Sequence, residues 1–180
     1  MTPRPALIAA LAALTLGALN LGAAAQAGVP APKVSISDYA QLKTPLPYPY
    51  DEAATPEATD AAVAKAKAQA KKSGKLLLID LGGNWCGDCR VLAGTLDLPE
   101  MHKFVDKHYV EVIVDVGRFN KNLQVPAHYG ITERLEGVPS LLLVDPKTDK
   151  LLNAGNVSHL ADARHMTPQS LADYLAQYAK

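Results

Sequence analysis

The chain has 180 residues, 18 Lys+Arg against 18 Asp+Glu and a formal net charge of zero, with 48% hydrophobic residues. That balance excludes the basic footprint that nucleic acid requires, and no block of like charge marks an electrostatic partner. Recognition has to come from a local site, on a chain long enough for a leader and one domain.

Residues 1–27 read as a secretory signal. Arg4 gives a short positive start, Ala6 to Leu19 is apolar and uncharged, and Ala23-Ala24-Ala25-Gln26-Ala27 offers A-x-A cleavage after Ala25 or Ala27. The rival is an uncleaved membrane anchor. Asn20 interrupts the stretch, however, and its many Ala and Gly residues are weakly apolar, whereas a span needs about 20 strongly apolar residues. No cysteine at the junction offers a lipid attachment point. The expected address is periplasmic or secreted, with no stable membrane association after cleavage.

Residues 28–54 are expected to form a Pro-rich extended arm or linker. Six prolines fall between Pro30 and Pro56, with Pro45, Pro47 and Pro49 in alternation, which blocks both helix and inner strand. Tyr48 and Tyr50 either pin this arm to the domain or lie exposed. The domain itself is expected over 55–180. Thr55, Pro56 and Glu57 open a helix that runs to Lys72, and Gly74 suits the position past its end. Lys75 to Leu81 is a short, nearly continuous apolar run, the pattern of an inner strand.

A helix from Cys89 to about Leu96 restarts at Asp97-Leu98-Pro99-Glu100 toward Lys107. Tyr109 to Val116 is a second strand, with Val110, Val112 and Val114 on one face. Asn120 to Tyr129 leads into a short helix ending at Gly130, and Ser140 to Asp145 is a third strand. Pro146-Lys147-Thr148-Asp149 turns the chain toward a hairpin partner at Lys150 to Asn153. Thr167 and Pro168 start a last helix to about Ala179. Strands alternating with helices and closing on a hairpin define an α/β fold with helices on both faces of the sheet.

The chain's two cysteines, Cys86 and Cys89, carry the chemistry. A secreted domain stapled by disulfides would use several, at wide spacings, and a ring with two intervening residues removes little entropy from the unfolded chain. The pair instead sits where a strand hands over to a helix. There the first cysteine meets unsatisfied backbone N–H groups and the positive end of the helix, which stabilise the attacking thiolate. The second, one turn on, can resolve a mixed disulfide. Cys86 is therefore assigned as nucleophile and Cys89 as resolving thiol.

Trp85-Cys86-Gly87-Asp88-Cys89-Arg90 resembles the active-site run of the thioredoxin family, with Asp in place of the more usual Pro. Tyr129-Gly130-Ile131 and Gly137-Val138-Pro139-Ser140-Leu141-Leu142-Leu143 extend the likeness over roughly 55–180. The broken helix at Thr95 to Glu100 is similar to that of the C-terminal domain of the membrane-bound periplasmic disulfide reductase. The resemblance implies a thioredoxin-like fold with a central mixed sheet. It implies that Asp80, six residues before Cys86, is a buried acid handling the proton of the resolving cysteine, and that Pro139 is cis and faces the cysteines. Val138 would then pair its backbone with a bound peptide, and Trp85 would wall the substrate groove. Without the resemblance Asp80 is an ordinary strand-end carboxylate, and Asp88 and Arg90 a solvated helix start.

Two departures from the family bear on function. Asp88 places a negative charge beside the pair, which works against a thiolate at Cys86 and would hold the couple on the reducing side. Thr132-Glu133-Arg134-Leu135-Glu136 lengthens the connection before Gly137, either restricting which partners dock or serving as a tolerated loop.

The expected function is that of an exported thiol–disulfide oxidoreductase acting on protein or small-molecule disulfides and thiols, in the reducing or isomerising direction. It would need no cofactor beyond the Cys86–Cys89 couple, and an upstream electron-donating thiol protein would serve it. A disulfide-forming oxidase is one alternative. A Zn- or Cu-binding module of the same fold is another, although His102, His108, His128, His159 and His165 are scattered and supply no second ligand pair.

Overall fold

The computed structural model describes residues 28–180, so the secretory segment read from 1–27 lies outside the described residues. Helix α1 (Pro56–Ser73) begins and ends on its sequence signals: the Thr55 hydroxyl accepts the Ala58 N–H at 3.2 Å, and Gly74 takes the left-handed φ of 74° that releases the chain. Strand β1 (Leu76–Gly82) follows, every residue buried. Helix α2 (Gly87–Leu96) starts two residues earlier than its expected first residue, Cys89, because Cys86 itself caps it.

Pro99 then forces the break between α2 and α3 (Pro99–His108), since the residue before a proline is driven out of helical conformation and Leu98 has ψ 137°. Strand β2 (Tyr109–Asp115), the short helix α4 (Gln124–His128), strands β3 (Ser140–Asp145) and β4 (Lys150–Leu151), and helix α5 (Pro168–Tyr178) complete the order. Among the described residues no helix is long and apolar enough to cross a membrane.

The sheet is mixed and runs β2-β1-β3-β4. Strand β1 pairs parallel with β2 and antiparallel with β3, and β3 pairs antiparallel with β4. The pleat sends alternate β1 residues to opposite faces. Leu76 and Leu78 join a core with Leu92 and Leu96 of α2, Phe104 of α3 and Leu171 of α5, while Leu77, Ile79 and Leu81 pack with Ala66 and Ala70 of α1 and Val125 of α4. Helices therefore cover both faces, which is why β1 reads as an unbroken apolar run. On the edge strand β2, Glu111 and Ile113 are exposed instead.

The hairpin is shorter than Lys150 to Asn153 because Asn153 turns its side chain onto β3. Its carbonyl oxygen accepts the Leu143 N–H at 3.0 Å, and its amide donates to the Leu141 carbonyl at 2.7 Å, replacing ladder bonds that a longer β4 would make.

Residues 28–54, anticipated as an extended arm or linker, run irregularly along the domain apart from a 3₁₀ turn at Tyr39–Gln41. Val34, Leu42 and Tyr50 are buried, and the Val29 N–H donates to the Ala176 carbonyl at 3.1 Å. The two tyrosines left open by the sequence divide the options between them. Tyr50 is 3% exposed, whereas Tyr48 is 63% exposed beneath the Arg90 guanidinium, 3.8 Å from its ring centre.

Candidate redox site

The end of β1 and the start of α2 place the cysteines. The Cys86 sulfur accepts the Cys89 backbone N–H at 3.1 Å, and its thiol donates to the Val138 carbonyl at 3.2 Å. Both are free thiols. Cys86 is 5% exposed and Cys89 is 0%, so only the first presents sulfur to a partner. Their electrostatics diverge as well. The Cys86 thiol is brought down to about 7, chiefly by the hydrogen bond from the Cys89 side chain and further by backbone N–H groups, against opposition from burial and the Asp88 charge. Burial, followed by the hydrogen bond and charge of Cys86, holds the Cys89 thiol far above its ordinary value.

Asp80 lies on β1 two residues before Gly82 and is 1% exposed. Burial pushes its carboxyl well above 3.8, the charges of Glu111 and Cys86 push the same way, and the Tyr50 hydroxyl counteracts them by donating to both carboxylate oxygens at 3.0 Å. Gly82 makes this arrangement possible. A Cβ there would lie 2.3 Å from the Tyr50 hydroxyl and 2.9 Å from the Cys89 sulfur. Gly82→Ala is therefore expected to cost about 1–3 kcal/mol by urea unfolding, since neither neighbour has room to retreat; an unchanged midpoint would contradict that crowding.

The Val138–Pro139 peptide is cis, with the Val138 carbonyl against Cys86 as given above. Trp85 is 42% exposed beside the pair, its indole N–H donating to the Gly117 carbonyl at 2.7 Å. The Arg118 guanidinium lies 4.8 Å from its ring, and Phe119 meets it edge-on at 6.1 Å. The lengthened connection reaches this neighbourhood: Arg134 stacks 3.9 Å over Phe119, and Leu135 is buried in the same cluster as Cys86 and Val138. Of the six residues singled out from sequence, Asp80 thus lies beneath the cysteines, Trp85 directly precedes Cys86, and Val138, joined to Pro139 by a cis peptide, meets the Cys86 sulfur through its carbonyl.

The expectation of a solvated helix start at Asp88 and Arg90 fails for both residues. Arg90 donates to the Leu46 and Pro47 carbonyls at 2.9 and 3.1 Å, fastening the arm. Asp88 is 7% exposed and accepts both the Arg164 backbone N–H at 2.9 Å and its guanidinium at 3.1 Å. Its charge is thus answered by a cation from the Ala163–His165 turn, whose guanidinium also lies over Gly87. Arg164→Ala unpairs Asp88 and removes a positive charge near Cys86. The Cys86 thiol should then rise by up to about 1 pH unit in a thiolate-absorbance titration, and a fall would contradict the pairing.

Arg164 has no signal in the sequence, and Tyr50 is legible there only as a residue that either pins the arm or lies exposed. Tyr50 stands in a proline-rich run, and Arg164 lies 75 positions beyond Cys89 in a stretch without periodicity, so no local spacing signals either. The five histidines are spent elsewhere: His102 on Asp106, His108 on the Lys180 carbonyl, His128 on Asp149, His159 on the Tyr174 ring and His165 on Asp162. Among the described residues no group of three or more His, Cys, Asp or Glu is placed to hold a metal ion.

A dithiol at a strand–helix junction, one sulfur reachable and its partner buried over a carboxyl, has the geometry that thiol–disulfide exchange requires. Known proteins agree. Residues 57–146 match a family model described as Thioredoxin-like. The crystal structure of a disulphide isomerase from Xylella fastidiosa Temecula1 is 34% identical, with a TM-score of 0.66 over 73% of this chain and 97% of that one. A protein of unknown function from Pseudomonas aeruginosa, 21% identical over 79% of this chain and 97% of that one with a TM-score of 0.38, is too distant to bear on function. No curated protein matches. The chain belongs to the thioredoxin-like family and is a thiol–disulfide oxidoreductase.

Proposed function

We propose that this oxidoreductase works outside the cytoplasm in the reducing or isomerising direction, with Cys86 as nucleophile, Cys89 as resolving thiol and Asp80 as proton acceptor. The Cys86 thiolate attacks a partner disulfide, bonds to one sulfur and releases the other as a thiolate. In reduction, the Cys89 proton passes to the Asp80 carboxylate and the Cys89 sulfur attacks Cys86. The second substrate thiolate leaves, two electrons have gone to the substrate, and the Cys86–Cys89 disulfide remains for an upstream thiol donor to reduce. In isomerisation a thiol of the substrate itself displaces Cys86. Trp85 and the Val138–Pro139 segment border Cys86 and supply the surface on which a peptide would lie.

The observation that carries the direction is the setting of Cys86, 5% exposed with the buried Asp88 carboxylate two residues on, both of which oppose its thiolate, so that the thiol comes down only to about 7. A strong oxidant has a nucleophilic thiol near 3.5, because extreme stabilisation of its reduced form drives it to hand its disulfide away. Here burial and the Asp88 carboxylate oppose the thiolate even with Asp88 paired to Arg164, so that extreme stabilisation is absent. The isomerase among the similar structures supports the same side. The test is direct competition: insulin reduction driven by dithiothreitol, reactivation of scrambled ribonuclease, and oxidation of reduced ribonuclease. The first or second should be catalysed by the wild-type chain. Catalysis of the third alone would assign an oxidase instead.

Export rests on the residue pattern of 1–27. Expression with a functional secretion system should yield an extracytoplasmic protein whose first residue is Gln26 or Gly28. An intact amino terminus on a soluble cytoplasmic product would refute it.

A further inference from the structure

The proline-rich arm delivers a polar group into the interior of the redox site. Tyr50 is the last residue of the Leu46–Tyr50 run, and its hydroxyl reaches beneath the cysteines to both oxygens of Asp80. The hydroxyl and the Cys89 sulfur are neighbours across the bare Cα of Gly82. The arm is held there by residues that flank the motif on each side. Before it, the Asn84 amide brackets Tyr50, accepting its backbone N–H at 3.1 Å and donating to its carbonyl at 2.8 Å. After it, Arg90 grips the Leu46 and Pro47 carbonyls and stacks on Tyr48. The Lys121 ammonium adds a third tie, to the Glu52 carbonyl at 2.6 Å.

We infer that Tyr50 is a positioning residue of the resolving step: its hydroxyl donates to both oxygens of the Asp80 carboxylate and aims that carboxylate at Cys89. This rests on the reading of Asp80 as the group that takes the Cys89 proton. The groups facing Asp80 are Tyr50 from the arm, Cys86 at the cap of α2, Cys89 within α2, and Glu111 from β2, while its β3 partner Leu141 is apolar. Of these, only Tyr50 offers the carboxylate a hydroxyl donor, and the others place negative charge near it once ionised. A hydrogen bond to the charged form favours that form, so the phenol offsets part of the penalty of burial. Loss of the hydroxyl leaves Asp80 protonated to higher pH, and a protonated Asp80 cannot accept the Cys89 proton.

Ellman's disulfide separates the steps on the full-length reduced protein. Attack by Cys86 releases one thionitrobenzoate, and displacement by Cys89 releases the second as the Cys86–Cys89 bond forms. The acid limb of the second phase in Tyr50→Phe should move up by about 1 pH unit, equivalent to tenfold in the population of carboxylate. In an Asp80→Asn background, Tyr50→Phe should change the second phase no further. A second-phase pH profile identical to wild type would overturn the inference, as would a Tyr50→Phe effect that persists in full beside Asp80→Asn. A wild-type chain that releases only one equivalent would overturn the redox reading itself, and Asp80→Asn with a wild-type second phase would overturn the role of Asp80 on which the inference rests.

Discussion

Cys86→Ser should reduce disulfide exchange to the uncatalysed rate, and Cys89→Ser should arrest the chain as a mixed disulfide with its substrate. The reasons differ. At position 86 the sulfur forms the new bond, and a serine hydroxyl neither ionises near neutral pH nor forms a disulfide. The Cys86 thiol at about 7 is also substantially ionised at that pH, so the loss falls on the species doing the attack. At position 89 the first attack remains possible because Cys86 keeps the N-cap position and the backbone N–H of residue 89. What is lost is the internal displacement, so a covalent adduct accumulates and migrates as a larger species on a non-reducing gel. Insulin reduction and such gels check both outcomes. Turnover by Cys86→Ser, or no adduct with Cys89→Ser, would contradict the division of labour.

Asp80 should make the protein less stable as the pH rises, and Asp80→Asn should remove that dependence. The carboxyl is almost fully buried, and its folded-state value is raised well above 3.8, first by burial and then by the charges of Glu111 and Cys86. Well below 3.8 the group is neutral in folded and unfolded chains alike, and its full contribution is present. As the pH climbs above that value the unfolded chain releases its proton first, so folding loses about 1.4 kcal/mol per pH unit until the folded value is reached. Between pH 5 and 7 the wild type should therefore lose stability relative to Asp80→Asn in urea unfolding. Parallel profiles would mean that the site keeps Asp80 charged without penalty.

The sequence is informative where physics is local. Thr55, Pro56 and Gly74 bound α1 because capping and left-handed release are decided within a few residues. The apolar run of β1 betrays burial on both faces, and Cys-x-x-Cys after it fixes the site. Asp80 and Pro139 needed the likeness to a family, since neither a buried acid nor a cis bond has a signature of its own. Longer-range contacts were silent. Asp88 reads as an exposed acid until Arg164 folds back over it, and Tyr50 reads as one tyrosine in a coil until Asn84 and Arg90 draw the arm beneath the cysteines. Even the shortened hairpin depends on one side chain, Asn153, substituting for backbone.

The central claim is that Cys86 and Cys89 form one reversible two-electron couple. Equilibration of the protein across a series of glutathione ratios, followed by acid quench, alkylation and mass spectrometry, measures this directly. The fraction carrying the internal disulfide should follow a two-electron curve, changing tenfold in oxidised-to-reduced ratio for about 30 mV, with a midpoint well below the roughly −120 mV of a strong oxidant. Persistent glutathionylation of Cys86 without closure onto Cys89, or no transition at all, would contradict it.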